Sequence, residues 1–230
     1  HFDGANNGVN NAFDDGSASN HTITANGNVT QGSFGPFARP DGEWAVDATA
    51  EADRLTLANT TDLNFSTGEF SVEFWVNLVT DYSSSGGIIS MFFWATNDGN
   101  QTQFSQRSDL SGGIGLNFFT DGSHVLKGGG VIAEAGSWNH VVLCRSGTTL
   151  SIFLNGSRTS TATYSSAITF NDTPVIMGYN GTDHGANGNM SNFRVLKGSS
   201  AYDATQTTLT VPTSPLTAVT NTKLLTCQSN

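Results

Sequence analysis

Basic residues are scarce in this chain of 230 residues: nine Lys and Arg stand against nineteen Asp and Glu, giving a formal net charge of −10. Nucleic acids and anionic membrane surfaces are bound through basic patches, so we expect neither as a partner. Charged residues of both signs make up only 12% of the chain. Asn, Ser, Thr and Gly must therefore supply the polar surface. A surface of this kind depends little on ion pairs and suits a secreted or virion-surface protein.

Cysteine and long apolar runs are also rare. Cys144 and Cys227 are too few for a disulfide framework. Cys144 alternates with apolar strand residues, which favours a small core residue, and a bridge to Cys227 is the less favoured alternative. No apolar run is long enough to span a bilayer, so we expect no membrane insertion. Because the chain begins with His1 and not with Met, we expect a processed or excised product.

The clearest periodicity lies in residues 137–156. Apolar side chains alternate on both sides of a short polar segment at residues 146–149. A period of two on each side of a turn predicts an antiparallel hairpin whose two strands are largely covered. No stretch longer than two helical turns has a helical period. The sequence therefore predicts an all-β protein in which two antiparallel sheets pack face to face, with Greek-key connections.

Four segments together resemble laminin-G-like, concanavalin A-like jelly-roll domains. They are the hairpin run WNHVVLCRSGTTLSIFLNG, GEFSVEFWV at residues 68–76, GNMSNFRVLKG at residues 188–198, and HFDG at residues 1–4. The four occur in the order that the family has and cover nearly the whole chain. The resemblance therefore implies a single jelly-roll sandwich over residues 1–230. It does not imply one activity, since this fold hosts lectins, hydrolases and structural modules.

Residues 221–230 are similar to a lead-in strand of such domains. In the simpler interpretation this strand pairs beside the N-terminal strand of its own domain. In the alternative, Leu224, Leu225 and Cys227 form an assembly strand that completes a neighbouring copy, in a tandem repeat or between subunits. The alternative makes copies of the chain its partners and predicts a homo-oligomer. Burial of Leu224 and Leu225 in their own chain's core would argue against the exchange.

Glu73 is the one acidic candidate for catalysis that the resemblance offers. Hydrolases of this fold place carboxylates in an E-x-D-x-x-E pattern, because one attacks while the other donates a proton from about 5 Å away. No acidic residue stands two or five positions after Glu73, where this pattern places the other carboxylates. A triad of His140, Ser137 and Asp62 can be drawn, but no G-x-S-x-G elbow supports it. We therefore predict that the protein is not an enzyme.

Calcium is the one cofactor that the resemblance suggests, and none is required. Relatives of this fold often bind calcium at the rim of the sandwich, through roughly six to eight oxygen ligands. The candidates here are Asp47 and Asp53, and separately Asp183 and Asn187. Solvated turn residues are the simpler interpretation of both pairs.

A carbohydrate site is predicted in the loop of residues 178–189. The aromatic ring of Tyr179 offers a stacking surface for a sugar, and polar side chains around it offer partners for hydroxyl groups. These polar side chains are Asp183, His184, Asn187 and Asn189. Ordinary loop composition is the simpler interpretation of the same residues.

Three functions follow, in decreasing order of support. The first is a non-catalytic structural and adhesive module of a virion, such as a fibre, tail or capsid decoration, or of an extracellular filament or cell surface, with surface glycans as possible partners. The second is a calcium-assisted lectin-like domain. The third is a polysaccharide hydrolase. The virion is suggested by the resemblance alone, whereas the polar, weakly charged composition supports any extracellular location.

Overall fold

The computed structural model describes residues 11–37, 44–48, 50, 52–80, 88–94, 101–108, 115–169, 173–178 and 185–228. Within these residues lie fifteen strands and one short 3-10 helix, Thr61–Leu63. The strands are β1 (Ile23–Asn26), β2 (Thr30–Gly32), β3 (Ala45–Ala48), β4 (Arg54–Leu57), β5 (Phe70–Leu78), β6 (Ile88–Trp94), β7 (Thr102–Arg107), β8 (Gly115–Thr120), β9 (Ser123–Leu126), β10 (Asn139–Ser146), β11 (Thr149–Leu154), β12 (Ser157–Thr163), β13 (Pro174–Ile176), β14 (Gly188–Lys197) and β15 (Thr222–Thr226).

The strands form two antiparallel sheets. One has seven strands in the order β1-β4-β13-β6-β7-β8-β9. The other has eight, in the order β12-β11-β10-β5-β14-β3-β2, with β15 also paired to β14. The prediction of an all-β, two-sheet antiparallel sandwich is confirmed. The described residues include no helix that is long and apolar enough to cross a membrane.

The central hairpin forms where the periodicity predicts it. Strands β10 and β11 pair from Val141 opposite Leu154 to Ser146 opposite Thr149. Gly147 lies in the turn between them with a φ of 57°, a conformation that glycine adopts without steric penalty. On its other side β10 pairs with β5, so the hairpin extends the middle of the eight-stranded sheet.

Strand β5 has one face in the core and one face outward. The core face consists of Phe70, Val72, Phe74, Val76 and Leu78, all fully buried. Phe74 stacks on Phe193 of β14 at 5.6 Å and meets the edge of Phe104 of β7 at 5.9 Å. The contact with Phe104 joins the two sheets, since β7 belongs to the seven-stranded sheet. Because side chains alternate along a strand, the other residues of β5 lie on the outward face of the eight-stranded sheet.

Both cysteines are buried free thiols. Cys144 lies in a small apolar cluster with Val142, Phe153 and Ala204, as expected for a core residue. Burial raises the pKa of each thiol to about 12. The less favoured bridge between Cys144 and Cys227 is absent from the structure.

Strand β15 pairs with a strand of its own chain. Leu224 is opposite Val195 of β14 and is fully buried in the common core. On the other side of β15, the Gly16 amide donates to the Leu225 carbonyl at 2.7 Å, and the Asp15 carboxylate accepts from the Leu225 amide at 3.0 Å. The place on β14 that an exchanged strand would take is therefore occupied. Exchange would require Leu224 to leave this core. A homo-oligomer formed through another surface stays a prediction.

Candidate functional site

The outward-facing side chains of β5 lie in two different environments. Ser71 and Glu73 lie in a covered half of the eight-stranded sheet and are fully buried, whereas Trp75 is half-buried. Asn77 follows Trp75 on the same face, because it is two residues further along the strand.

In the covered half, Glu73 is the centre of a polar network. Arg194 donates from Nε to its Oε1 at 2.8 Å, and the Tyr202 hydroxyl donates to its Oε2 at 2.6 Å. His140 Nε2 lies 3.5 Å from Oε2. Burial alone would raise the pKa of Glu73, but His140, Arg194 and Tyr202 together outweigh it, so the pKa lies below its usual value. The carboxylate is therefore held ionised.

The chain itself closes this half, through residues 198–217. Tyr202, Ala204 and Leu209 pack on the apolar cluster around Cys144. The Ser151 hydroxyl donates to the Ala204 carbonyl at 2.7 Å. Arg194 Nη1 donates to the Thr217 carbonyl at 2.8 Å. These bonds give Ser151 and Arg194 partners within the chain.

This geometry gives Glu73 a structural role. A glycosidase acid needs a raised pKa and a second carboxylate nearby, yet the pKa of Glu73 is lowered by a cation and two hydrogen-bonding groups. The triad drawn from the sequence is not assembled. Asp62 lies 3.4 Å from His21 and 3.5 Å from Lys223, whereas His140 faces Glu73.

The open half carries a line of polar side chains across four strands. Thr30 is opposite Asp47, Asp47 is opposite Asn189, and Asn189 is opposite Asn77. Directly opposed side chains on one face have their Cβ atoms about 5 Å apart. Thr30, Asp47 and Asn189 are half-buried, and Asn77 is 8% exposed. We name these four residues the polar row.

The side chains of the polar row have free hydrogen-bonding capacity. In the described part of the chain, no hydrogen bond or ion pair engages the side chains of Asp47, Asn77 or Asn189. Burial, and then the charge of Asp53, raise the pKa of Asp47. The row therefore offers two amides and one carboxylate with unused donors and acceptors.

Four aromatic side chains lie beside the polar row, and we name them the aromatic patch. Phe37 meets Trp75 edge-on at 5.4 Å, and Phe34 is tilted against Trp138 at the same distance. Phe34 is 55% exposed, and the other three are half-buried. The indole Nε1 atoms of Trp75 and Trp138 have no partner within the described residues. A buried donor without a partner costs roughly 1 to 3 kcal/mol, so an acceptor that reaches it is stabilising.

Of the two calcium ligands suggested by the sequence, Asp47 and Asp53, only Asp47 has a carboxylate that could accept a cation. Asp53 is buried, and its two carboxylate oxygens accept from the Asn28 amide at 2.7 Å and the Ala50 amide at 3.0 Å. It holds a turn. A cation at Asp47 would find a free side-chain oxygen on Asn189, which is opposite it on the neighbouring strand. Within the described residues no three His, Cys, Asp or Glu side chains are grouped as for a metal, and calcium stays a prediction.

The predicted loop site is described only at its end. Tyr179, Asp183 and His184 lie outside the described residues. Asn187 is half-buried, and its carbonyl accepts from the Val79 amide at 3.0 Å. Asn189 lies on β14.

The structure brings Asn189 beside Asp47, two residues that the sequence analysis assigned to different sites. It adds Asn77 and the aromatic patch, which sequence reasoning missed. The alternation along β5 was the available signal, because it assigns Trp75 and Asn77 to the outward face.

A family model described as the concanavalin A-like lectin/glucanases superfamily matches residues 49–201. No curated protein matches the chain. Among solved structures, domain 4 of AbnA, a GH43 extracellular arabinanase from Geobacillus stearothermophilus in complex with arabinotriose, matches with a TM-score of 0.57 and 15% identity, over 79% of this chain and 87% of that one.

Two toxin binding domains also match. That of botulinum neurotoxin serotype G has a TM-score of 0.55 and 14% identity, over 84% of this chain and 48% of that one. That of Paraclostridial Mosquitocidal Protein 1 has a TM-score of 0.55 and 15% identity, over 81% and 48%. The chain thus spans about half the length of these toxin domains. At such identities the likeness shows the fold.

Proposed function

The chain belongs to the concanavalin A-like lectin/glucanases superfamily, and on that premise we propose that it is a non-catalytic carbohydrate-binding module of an extracellular surface. The observation that carries the proposal is the polar row beside the aromatic patch. Unlike the covered half of the same sheet, this region has polar side chains without partners in the described part of the chain, next to one exposed and three half-buried aromatic rings.

The chemistry of the two groups suits a sugar. Aromatic faces pack against the apolar C–H face of a sugar ring. Each Asn amide can donate to one hydroxyl and accept from another, while the Asp47 carboxylate accepts only. The neighbour that was solved with arabinotriose supports sugars as the ligand class.

Hydrolysis fits this site less well. Most glycoside hydrolases use two carboxyl groups, and the polar row holds one, Asp47. Glu73 lies in the covered half, ion-paired to Arg194 at 2.5 Å. The site can therefore bind and orient a sugar without the pair of groups that cleaves it.

Binding is tested on an array of neutral and acidic glycans that includes arabinan fragments. Retention of the protein, and its loss in the Trp138→Ala variant, is the expected result. Val219→Ala is the control, since Val219 is an exposed large apolar residue that lies outside the aromatic patch. Absence of retention on every glycan would contradict the proposal.

Calcium assistance is tested on the same array. If Asp47 holds a calcium ion through its free carboxylate, a chelator lowers retention, and the Asp47→Asn variant becomes insensitive to the chelator. Equal retention and an equal melting temperature with and without the chelator would mean that the polar row binds the glycan directly, without calcium.

An adhesive role at a virion or cell surface is the finer form of the proposal. The low share of charged residues, 12%, supports an exposed extracellular setting. Light scattering with negative-stain imaging of native material tests it, and regular filaments or defined multimers are expected. A uniform monomer would contradict the assembly part and leave carbohydrate binding in place.

A further inference from the structure

The polar row continues into the aromatic patch in a straight line. Asn139, the first residue of β10, is opposite Val76, so Trp138 lies at the register position next to Asn77. The line from Thr30 to Trp138 therefore crosses β2, β3, β14, β5 and the start of β10. Four spacings between neighbouring strands make it about 19 Å long.

A single sugar ring is too small for this line. Together with its hydroxyl groups, one ring reaches across one or two strand spacings. It would contact either the Trp138 end or the Asp47 end, and would leave the other end without a partner. The ligand that uses every group of the line is longer and lies across the strands.

Resting on the proposed function, we propose that the site binds a linear glycan chain of three or more sugar residues, laid across the strands from Trp138 to Thr30. Trp138 stacks against one sugar at one end. The Asn77 and Asn189 amides bind hydroxyls of the middle residues, and Asp47 with Thr30 binds the other end. The module then recognises the interior of a polysaccharide and not only a terminal sugar.

Chain length is the variable that tests this. Arabino-, gluco-, galacto-, manno- and xylo-oligosaccharides of one to six residues are titrated by calorimetry. In the series that binds, we expect the Kd to fall at least tenfold between one residue and four, and then to level off once the line is filled. Equal Kd values for the monosaccharide and the hexasaccharide would overturn this inference while leaving the proposed function intact. No binding in any series would overturn the proposed function itself.

Variants at the two ends give an independent test. Trp138→Ala and Asp47→Asn should each weaken the hexasaccharide at least threefold, and the double variant should lose about the product of the two. For the disaccharide only one of the two variants should matter. The control is Asp121→Asn, which removes the same charge at an exposed turn position after β8 in the other sheet. If one end variant changes the Kd at no chain length, a short site is present and the inference is wrong.

Discussion

The two halves of the outward face of the eight-stranded sheet share strands β5 and β14 and have opposite properties. Strand β5 passes through both: Glu73 is fully buried with partners, and two residues later Trp75 is half-buried. In the covered half the polar groups bind Arg194 and Tyr202 of the same chain. In the open half Asn77 and Asn189 have no such partner in the described part of the chain.

The difference separates stability from binding. A buried charge is tolerated only when it is paired and hydrogen-bonded, so the covered half must be complete for the fold to be stable. The half-exposed Asn189 amide is solvated by water at little cost, and can exchange that water for a ligand. The Asn77 amide beside it is only 8% exposed and has no partner in the described part of the chain. Substitutions in the covered half should therefore change the free energy of unfolding. Substitutions in the open half should change affinity.

The largest effect is expected for Glu73→Gln. This change leaves Arg194 with its charge buried and unpaired, which should lower the free energy of unfolding by about 3 kcal/mol. Urea unfolding followed by tryptophan fluorescence measures it. Glu69→Gln is the control, because Glu69 just before the same strand is exposed and should change the stability by less than about 0.5 kcal/mol.

The stabilisation that Glu73 contributes should be lost at acidic pH. The pKa of Glu73 is lowered in the fold, so its stabilising contribution is complete above the usual carboxyl pKa of about 4.3 and is lost as the pH falls through the folded value. The difference in stability between wild type and Glu73→Gln should narrow in that acidic range. A difference that stays constant from pH 7 to pH 3 would mean that the ionised carboxylate is not what stabilises the covered half.

Trp138→Ala should change binding without changing the fold. It removes the ring that Phe34 contacts at 5.4 Å, and with it one end of the sugar surface. We expect the Kd for the best oligosaccharide to rise about tenfold, or about 1.4 kcal/mol. Calorimetry measures the affinity and thermal melting checks the fold. If instead the melting temperature falls and affinity persists, the aromatic patch belongs with the covered half and serves stability.

Asn189→Ala should have a smaller effect on affinity. One neutral hydrogen bond contributes about 0.5 to 1.5 kcal/mol, so a roughly threefold to tenfold rise in Kd is expected. Asn59→Ala provides the comparison, since Asn59 is exposed in the connection after β4. Equal affinities of both variants would remove Asn189 from the site.

The fold could be predicted because it depends on local alternation. Residues 137–156 and β5 each show a period of two, which fixes the strand and the face that each side chain takes. The missing acidic partners of Glu73 favoured a structural role from the sequence, and in the structure its carboxylate is paired with Arg194. Residues 198–217, which cover it, carry no local signal of where they lie.

The open half could not be predicted in the same way. Its polar row joins Thr30, Asp47, Asn77 and Asn189, which meet only because β2, β3, β14 and β5 are neighbours in the sheet. Alternation gives the face of each strand and not the order of the strands. From the sequence alone Asp47 pairs with Asp53, which is close to it in the chain, whereas in the structure Asp53 accepts hydrogen bonds from backbone amides.

The smallest effect on stability is expected for Asp47→Asn. This change in the open half should slightly raise the free energy of unfolding, whereas Glu73→Gln in the covered half should lower it. Burial, and then Asp53, raise the pKa of Asp47, so the fold favours the protonated form. Its stabilising contribution is complete below the usual carboxyl pKa and is lost as the pH rises through the raised value. At pH 7 the ionised form is therefore slightly unfavourable. Because the side chain is half-exposed, solvent screens most of this effect, and Asn should stabilise the protein by no more than about 0.5 kcal/mol.

Urea unfolding at pH 7 and at pH 3 measures this effect, with Asp121→Asn as the reference. The gain should be present at pH 7 and absent at pH 3, while oligosaccharide affinity falls. A loss of stability of 1 kcal/mol or more at pH 7, which is the value of a typical hydrogen bond, would mean that Asp47 has a partner within the chain. The polar row would then be part of the structural network, as Glu73 is, and would no longer be a candidate ligand site.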